Sequence, residues 1–256
     1  AATDAFAIEN VTVIDVETGN RSTEQTVVVT GNRITAVGTD NLPVPAGARV
    51  INGQGQFLIP GVWDMHVHAL RAAGRALPLA VASGLTGVRD MGSTLAQIPE
   101  TRDAIANGLI APRLVIAGEG LEGVPGGFPG LPPNTVLSTP DEGRQMVRQL
   151  ADLQVDFLKA HNGLNRDTFY AILDEAERFG IPVDGHLQPG LDIIEASDAG
   201  QRTIEHLNGL QTACAADPAA LRSEEPDAAP IEINMARCEE TIRHLVDNGT
   251  WLTPTL

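Results

Sequence analysis

From residue 60 onward, short apolar runs alternate with helical patterns, and this alternation limits the fold more than any other feature of the sequence. Parallel strands are joined by crossover connections, usually helices, so strand–helix repeats of this spacing are typical of a parallel sheet. The chain is therefore predicted to be an α/β protein. Seven runs are predicted to be its strands, and they are residues 62–66, 87–90, 113–117, 156–160, 182–186, 203–206 and 251–256.

The number of predicted strands indicates which parallel sheet forms. A closed (β/α)8 TIM barrel needs eight strands, and seven are visible up to Leu256. We therefore predict a TIM-barrel domain over residues 59–256 that is truncated before its eighth strand. Residues 1–58 are predicted to form a separate small β module, because their short apolar runs are separated by Gly, Asn and Pro.

Two of the intervening helices have clear start signals. Thr139 and Glu142 flank Pro140 in a capping-box pattern, which predicts a helix running toward Leu153. Asn165 is predicted to cap a second helix, which ends near Gly180. The apolar stripe of that second helix is predicted to consist of Phe169, Ile172, Leu173, Ala176 and Phe179.

Composition excludes some classes of function. A net charge of −16 argues against nucleic-acid binding, since a phosphate backbone needs a basic footprint. No apolar run approaches the ~20 residues of a membrane helix.

Cys214 and Cys238 could pair in an oxidising compartment or remain two thiols in the cytosol. The small-residue start could follow signal cleavage, and a bacterial periplasmic or exported location is favoured over the cytoplasm.

Histidines stand at the ends of the predicted strands. His66 and His68 are two residues apart on the first barrel strand, so both side chains point to the same face. Asp64 lies one layer deeper on that face, where it could support a ligand. His186 and His206 end the fifth and sixth strands. The carboxyl ends of barrel strands carry the active site in enzymes of this architecture.

Lys159 is the chain's single lysine, and it lies at the end of the fourth predicted strand. A lysine amine can lose its proton when it is desolvated or close to metal ions, whereas arginine cannot. Four histidines and this amine at one end of the sheet make a ligand set that suits zinc better than magnesium or calcium. The sequence therefore predicts a metal site formed by His66, His68, Lys159, His186 and His206.

The chain resembles the amidohydrolase superfamily, and within it the prolidase-like and imidazolonepropionase-like branch. The motifs that carry the resemblance are residues 64–68, 84–92, 157–160, 183–186 and 204–207. The resemblance implies that Lys159 is carboxylated by carbon dioxide and bridges two divalent metal ions. It further implies that His66 and His68 bind one metal, that His186 and His206 bind the other, and that residues 1–58 form a small β-sandwich completed by a C-terminal segment.

The implied activity is hydrolysis of a carbon–nitrogen bond. A hydroxide held between the metals would attack an amide carbonyl, and an Asp of the eighth strand, absent from this sequence, would move the proton. The predicted substrate is a dipeptide or an N-acyl amino acid. His161 could contact this substrate or simply begin a loop, and Arg89 could bind a carboxylate or serve a structural role beside Asp90. Loop 118–134, with Phe128, is predicted to form a lid or pocket wall.

Three alternatives stay open at this point. The chain could be a mononuclear deaminase or cyclic-amide hydrolase of the same superfamily, although such relatives generally need no bridging lysine. It could be a metal-binding pseudoenzyme without catalytic activity. It could also be a barrel with coincidental histidines, which the ordered motifs argue against. The sequence does not decide whether the protein forms a homo-oligomer.

Overall fold

The computed structural model describes residues 4–39, 42–125, 135–218 and 232–255. The chain divides into two compact units, Ala1–Gly61 and Val62–Leu256. Within the described ranges, no helix is both long and apolar enough to cross a bilayer.

The first unit is built around one five-stranded sheet. Its strands are β1 (Ala5–Ile14), β2 (Arg21–Thr30), β3 (Arg33–Gly38), β4 (Arg49–Asn52) and β5 (Phe57–Leu58). The order is β3-β2-β1-β4, and β5 pairs with a later part of β1. β1 and β2 run antiparallel, whereas β4 and β5 run parallel to β1. Ala5, Ala7 and Val11 of β1 are buried. This is expected for a strand whose successive side chains alternate between the two faces of a sheet.

The described residues of the second unit form seven parallel strands in two sheets. The first sheet has the order β6-β7-β8 and the second has the order β12-β11-β10-β9. All seven predicted runs overlap these strands. Their bounds are β6 Val62–Val67, β7 Leu85–Asp90, β8 Arg113–Ile116, β9 Leu158–Ala160, β10 Val183–Gly185, β11 Gln201–Glu205 and β12 Trp251–Thr253.

The two sheets meet where β8 lies beside β9. The Ile116 backbone N–H donates to Asp156, and the Asp156 N–H donates back to the Ile116 carbonyl at 2.9 Å. Farther along, the Leu121 N–H donates to the Lys159 carbonyl at 2.8 Å. The α/β prediction with parallel strands is therefore confirmed. An eighth strand and closure into a complete barrel are not seen in the described part of the chain.

Helices connect most of these strands. Their bounds are α1 Ala73–Ala82, α2 Gln97–Ala106, α3 Pro140–Asp152, α4 Arg166–Phe179, α5 Ile193–Asp198, α6 Leu210–Cys214 and α7 Met235–Asp247. The predicted capping box of α3 is present, with the Thr139 side chain accepting from the Glu142 N–H. Asn165 caps α4 through the Thr168 N–H, and Gly180 ends α4 with a left-handed backbone, φ 65°.

The apolar stripe of α4 is confirmed except at its last residue. Phe169, Ile172, Leu173 and Ala176 are buried in the main core, where α3 packs against α4. Phe179 is 48% exposed. A turn of about 100° per residue places Phe179 about 80° from Phe169 around the helix axis, at the edge of the stripe.

Two further predictions concern the loops of this unit. Residues 126–134, which include Phe128, lie outside the described residues. Of the loop 118–134 that is predicted to form a lid or pocket wall, the structure therefore describes residues 118–125. In this part of the loop, Leu121 and Glu122 are buried. Cys214 and Cys238 form a disulfide between the end of α6 and α7. The structure therefore favours the paired alternative for the two cysteines.

Candidate metal centre

Five imidazole rings form a continuous row at the carboxyl ends of the parallel strands. The distances between ring centroids are 5.6 Å from His68 to His66, 4.6 Å from His66 to His206 and 5.0 Å from His206 to His186. His161 extends the row, with its ring 4.5 Å from that of His186. The structure thus brings the four histidines predicted as ligands together and adds His161 at one end.

Every histidine of the row is held through its Nδ1 atom. Nδ1 of His66 lies 2.8 Å from a Glu205 carboxylate oxygen, and Nδ1 of His68 lies 3.3 Å from the Gly92 carbonyl oxygen. The other three Nδ1 atoms bond to Asn162 (His186, 2.9 Å), Thr255 (His206, 2.6 Å) and the Glu122 carboxylate (His161). A histidine anchored at Nδ1 binds a metal through Nε2, and such anchors fix both ring orientation and tautomer.

The backbone after β10 and β11 is bent to present His186 and His206. Gly185 precedes His186 with φ 137°, and a Cβ atom there would lie 1.9 Å from the Ala160 carbonyl oxygen. This close approach lets the His186 N–H donate to that carbonyl at 2.8 Å. His206 and Leu207 have φ values of 57° and 54°, a left-handed conformation that is unfavourable for these residues. Both strands therefore end one residue before the histidine they were predicted to contain.

Lys159 lies beneath the row on β9. Its side chain is 1% exposed, and among the described residues its Nζ has no hydrogen-bond partner. The pKa of this amine is lowered from 10.5 to about 8, mainly by burial; the positive charge of Arg89 acts in the same direction, while Glu205 and Asp184 act in the opposite direction. A buried amine without a partner can carry its proton only at a free-energy cost.

The histidines have low pKa values for the same reason. Burial lowers the pKa of His186 to about 3 and that of His68 to about 4, and neighbouring positive charges add to both effects. Burial also lowers the pKa of His206. These imidazoles are therefore neutral at pH 7, which is the form that binds metal ions.

A cluster of charged side chains lies near the lysine. Arg89, Asp184 and Glu205 are each at most 2% exposed. Arg89 Nη1 donates to Asp184 at 3.0 Å and Nη2 donates to Glu205 at 2.7 Å. Asp64 supports β6 through the backbone: its Oδ1 accepts from the His66 N–H at 3.1 Å.

Asp90 has a structural role distinct from that of Arg89. Its carboxylate accepts from the Leu70 N–H at 2.9 Å and from the Gly92 N–H at 3.3 Å. Gly92 in turn holds His68. Burial raises the pKa of Asp90 to about 6. Asp90 therefore shapes the turn after β6, and the carboxylates that pair with Arg89 are those of Asp184 and Glu205.

Sequence reasoning missed Glu205, Glu122 and Asn162 as supports of the histidines. A signal for Glu205 was present, since alternation along β11 puts residues 203 and 205 on one face. The left-handed backbone at His206, which brings Glu205 and His206 into one site, leaves no such pattern. Glu122 and Asn162 lie in loops, whose path the sequence does not predict.

The donor set fits divalent metal ions in its chemistry. Neutral imidazoles anchored at Nδ1 and one buried amine without a partner are the groups that a zinc site with a modified lysine requires. Within residues 4–39, 42–125, 135–218 and 232–255, however, no three His, Cys, Asp or Glu side chains already stand close enough to hold one ion together.

No protein-family model and no curated protein matches the chain. Solved structures of other proteins do match the chain. A prolidase complexed with N-methylphosphonate-L-proline has TM-score 0.68 and 23% identity, over 97% of this chain and 77% of that chain. A Xaa-Pro dipeptidase with bound methionine in its active site has TM-score 0.72 and 20% identity, over 98% and 66%. Ochratoxinase of A. niger has TM-score 0.73 and 17% identity, over 100% and 66%.

TM-scores of 0.68 to 0.73 show a common fold, although the identities are only 17 to 23%. The resemblance to prolidase-like amidohydrolases that the motifs indicated is therefore confirmed at the level of the fold. The chain spans 66% of the length of the dipeptidase and of ochratoxinase, slightly less than two thirds of each.

Proposed function

We propose that this chain is a metal-dependent amidohydrolase in which Lys159, carboxylated by carbon dioxide, bridges two divalent metal ions. The observation that carries the proposal is the buried Lys159 amine, which has no hydrogen-bond partner among the described residues and lies beneath a row of anchored histidines. A chain whose other basic side chains are all arginines has kept its one lysine at this position.

The charges around Lys159 favour a neutral amine. Arg89 and Arg202 bond to the same buried Asp184, and Arg89 also bonds to Glu205. Two cations thus already pair with these two anions, and no carboxylate among the described residues is hydrogen-bonded to the Lys159 amine. A neutral amine is the form that captures carbon dioxide, and the resulting carbamate would be stabilised by two cations.

The ligand assignment follows the row of rings. His66 and His68, on β6 and just after it, would hold one ion, and His186 and His206, after β10 and β11, would hold the other. We propose zinc, since nitrogen donors of this kind favour it. When bound, the two ions would polarise a substrate carbonyl and make hydroxide available at neutral pH.

The chain's own residues orient this centre. The Nδ1 anchors of the four histidines fix the direction of each Nε2 atom, and the Asp64 carboxylate fixes the backbone of His66. These anchors limit how far each ring can turn when an ion binds.

We propose a dipeptide or an N-acyl amino acid as substrate. The solved structures of similar fold include a prolidase with a proline phosphonate and a Xaa-Pro dipeptidase. An amide bond beside a carboxylate is the chemical feature shared by such substrates. We propose that His161, held by the Glu122 carboxylate at the end of the row, contacts the substrate.

The proposal extends to the architecture. We propose that the seven parallel strands belong to a (β/α)8 barrel and that the sheet of residues 1–58 belongs to a small β-sandwich. A cavity that separates the edges of β6 and β12 supports an eighth strand there, and its lining includes Val62, Met65, Leu85, Trp251 and Leu252. An aspartate at the end of that strand would accept and return the proton.

Elemental analysis of the chain, purified without chelators and with bicarbonate present, tests the metal assignment. We expect two equivalents of metal per chain. One equivalent would contradict the binuclear proposal in favour of a mononuclear deaminase or cyclic-amide hydrolase, and none after reloading would contradict a metal centre of either kind.

Lys159→Ala tests the bridge itself. We expect this variant to lose metal, with partial recovery when short carboxylic acids such as acetate are added, because they can occupy the place of the carbamate. His244→Gln is the matched control, since His244 lies on α7 and bonds to Asp198, away from the row. Retention of both metal equivalents by Lys159→Ala would refute the bridging role.

A further inference from the structure

Arg89 extends from β7 across to the opposite sheet. Its Nε donates to the Met65 carbonyl on β6 at 2.7 Å. Nη1 donates to Asp184 on β10 at 3.0 Å and to Thr203 on β11 at 3.3 Å. Nη2 donates to Glu205 on β11 at 2.7 Å and to Thr253 on β12 at 3.1 Å. One side chain therefore joins four strands other than its own.

These contacts use the whole hydrogen-bonding capacity of the guanidinium group, which has five N–H donors. Each donor has an acceptor in the protein, and the Arg89 residue is 2% exposed. A substrate carboxylate could bind Arg89 only by displacing one of these buried partners. The structure therefore argues against Arg89 as a substrate-binding residue and in favour of a positioning role.

Glu205 connects Arg89 to a histidine of the candidate metal centre. One of its carboxylate oxygens accepts from Arg89 Nη2 and from the Thr203 hydroxyl, each at 2.7 Å. The other oxygen lies 2.8 Å from His66 Nδ1. Glu205 is buried against the Arg89 guanidinium, whose positive charge stabilises it as a carboxylate. An ionised carboxylate can only accept, so the proton between it and His66 lies on Nδ1.

We propose that Arg89 is a positioning residue that holds Glu205 in place, so that Glu205 accepts a hydrogen bond from Nδ1–H of His66 and Nε2 of His66 is left unprotonated to bind the metal. This inference rests on the proposed function in one respect, namely that His66 is a metal ligand. The geometry of the relay from Arg89 through Glu205 to His66 stands independently of the metal.

The relay sets His66 apart from the other three proposed ligands. His68 is anchored by a backbone carbonyl, and His186 and His206 are anchored by an uncharged amide and hydroxyl. Only the anchor of His66 is a buried carboxylate whose position depends on a buried cation. Loss of Arg89 should therefore affect the ion assigned to His66 and His68 more than the ion assigned to His186 and His206.

The tautomer of His66 in the metal-free chain is the direct test. Two-bond ¹H–¹⁵N correlation spectra of histidine-labelled protein report which ring nitrogen carries the proton. We expect His66 in the Nδ1–H form in the native chain and a mixture of tautomers in Arg89→Met. In metal titrations, we expect the affinity for one of the two equivalents to fall about 10- to 100-fold.

Arg202→Met is the matched control. Arg202 bonds to the same Asp184, and both guanidinium groups lie within 6 Å of the Phe157 ring, at 5.6 Å for Arg89 and 5.9 Å for Arg202. The described contacts of Arg202 do not include Glu205. We expect this variant to keep the Nδ1–H form of His66. An Arg89→Met chain that also kept this form and both metal affinities would overturn the proposal.

Glu205→Gln keeps the test decisive if Arg89→Met does not fold. Arg89 remains in place and draws the amide oxygen of the new side chain toward Nη2, which turns the amide NH₂ group toward His66. We expect the tautomer of His66 to invert to Nε2–H, which blocks its metal-binding nitrogen. An unchanged Nδ1–H signal would contradict the relay. An inverted tautomer in a chain whose native form binds no metal would instead contradict the proposed function alone.

Discussion

The two sheets of the second unit have two seams between them, and the seams are built differently. At the seam of β8 and β9, backbone groups bond directly, as in the Asp156 N–H to Ile116 carbonyl contact of 2.9 Å. At the seam of β6 and β12, no backbone pairing joins the two strands in the described chain, and a cavity separates their edges. Side chains span the second seam: Arg89 bonds to Met65 and Thr253, and His66 bonds to Glu205.

This difference shows where the candidate site depends on side chains. Backbone bonds depend little on side-chain identity, so the first seam should tolerate substitution. The second seam depends on one guanidinium group with buried ionic partners, and His66 lies on β6 beside it. The position of His66 in the proposed metal centre therefore depends on buried charged side chains. His186 and His206, by contrast, follow strands that pair along their length.

Removing Arg89 should have the largest effect on the free energy of unfolding. Arg89→Met leaves Asp184 and Glu205 buried with less compensation, and breaking a buried ion pair from one side costs about 3–5 kcal/mol. Urea unfolding of the metal-free chain measures this loss. Arg202→Met should cost less, because the Arg202 side chain is 41% exposed. Equal losses for the two variants would show that the second seam does not depend on Arg89.

The pH dependence of stability probes Lys159, whose backbone lies on β9 at the first seam. Its folded pKa of about 8 is below the ordinary 10.5, so between these pH values the unfolded chain holds a proton that the folded chain lacks. Raising the pH through this window should therefore stabilise the metal-free, bicarbonate-free protein, by roughly 3 kcal/mol for a shift of this size.

Lys159→Met supplies the comparison for that experiment. The variant should lack the rise in stability, and because the chain has no other lysine, the difference between the two curves isolates this amine. Parallel curves would mean that the amine titrates normally and is a poor candidate for carboxylation.

The sequence predicted the parts of the site that obey simple periodicity. His66 and His68 follow strand alternation, and Lys159, His186 and His206 follow the rule that functional groups lie at carboxyl strand ends. Strand positions were predicted for the same reason, as were the caps of α3 and α4, whose signals are local.

The supports of the site were not predictable in this way. Arg89 and Glu205 are distant in sequence, and their contact depends on how two sheets face each other. The ring of His206 joins the row because of a left-handed backbone, and Glu122 reaches His161 from a loop. Such contacts arise from tertiary packing, for which a single sequence carries no periodic signal.

The seam of β8 and β9 should show the smallest effect and so completes the comparison. Asp156→Ala removes the carboxylate that accepts from the Ile116 N–H at 2.8 Å, but it leaves the backbone bond from the Asp156 N–H in place. Because Asp156 is exposed, water can replace the lost acceptor, and we expect a cost of about 1 kcal/mol in urea unfolding. His66 should keep its Nδ1–H tautomer in this variant. A loss as large as that of Arg89→Met would show that both seams depend on charged side chains, and the contrast between them would have to be abandoned.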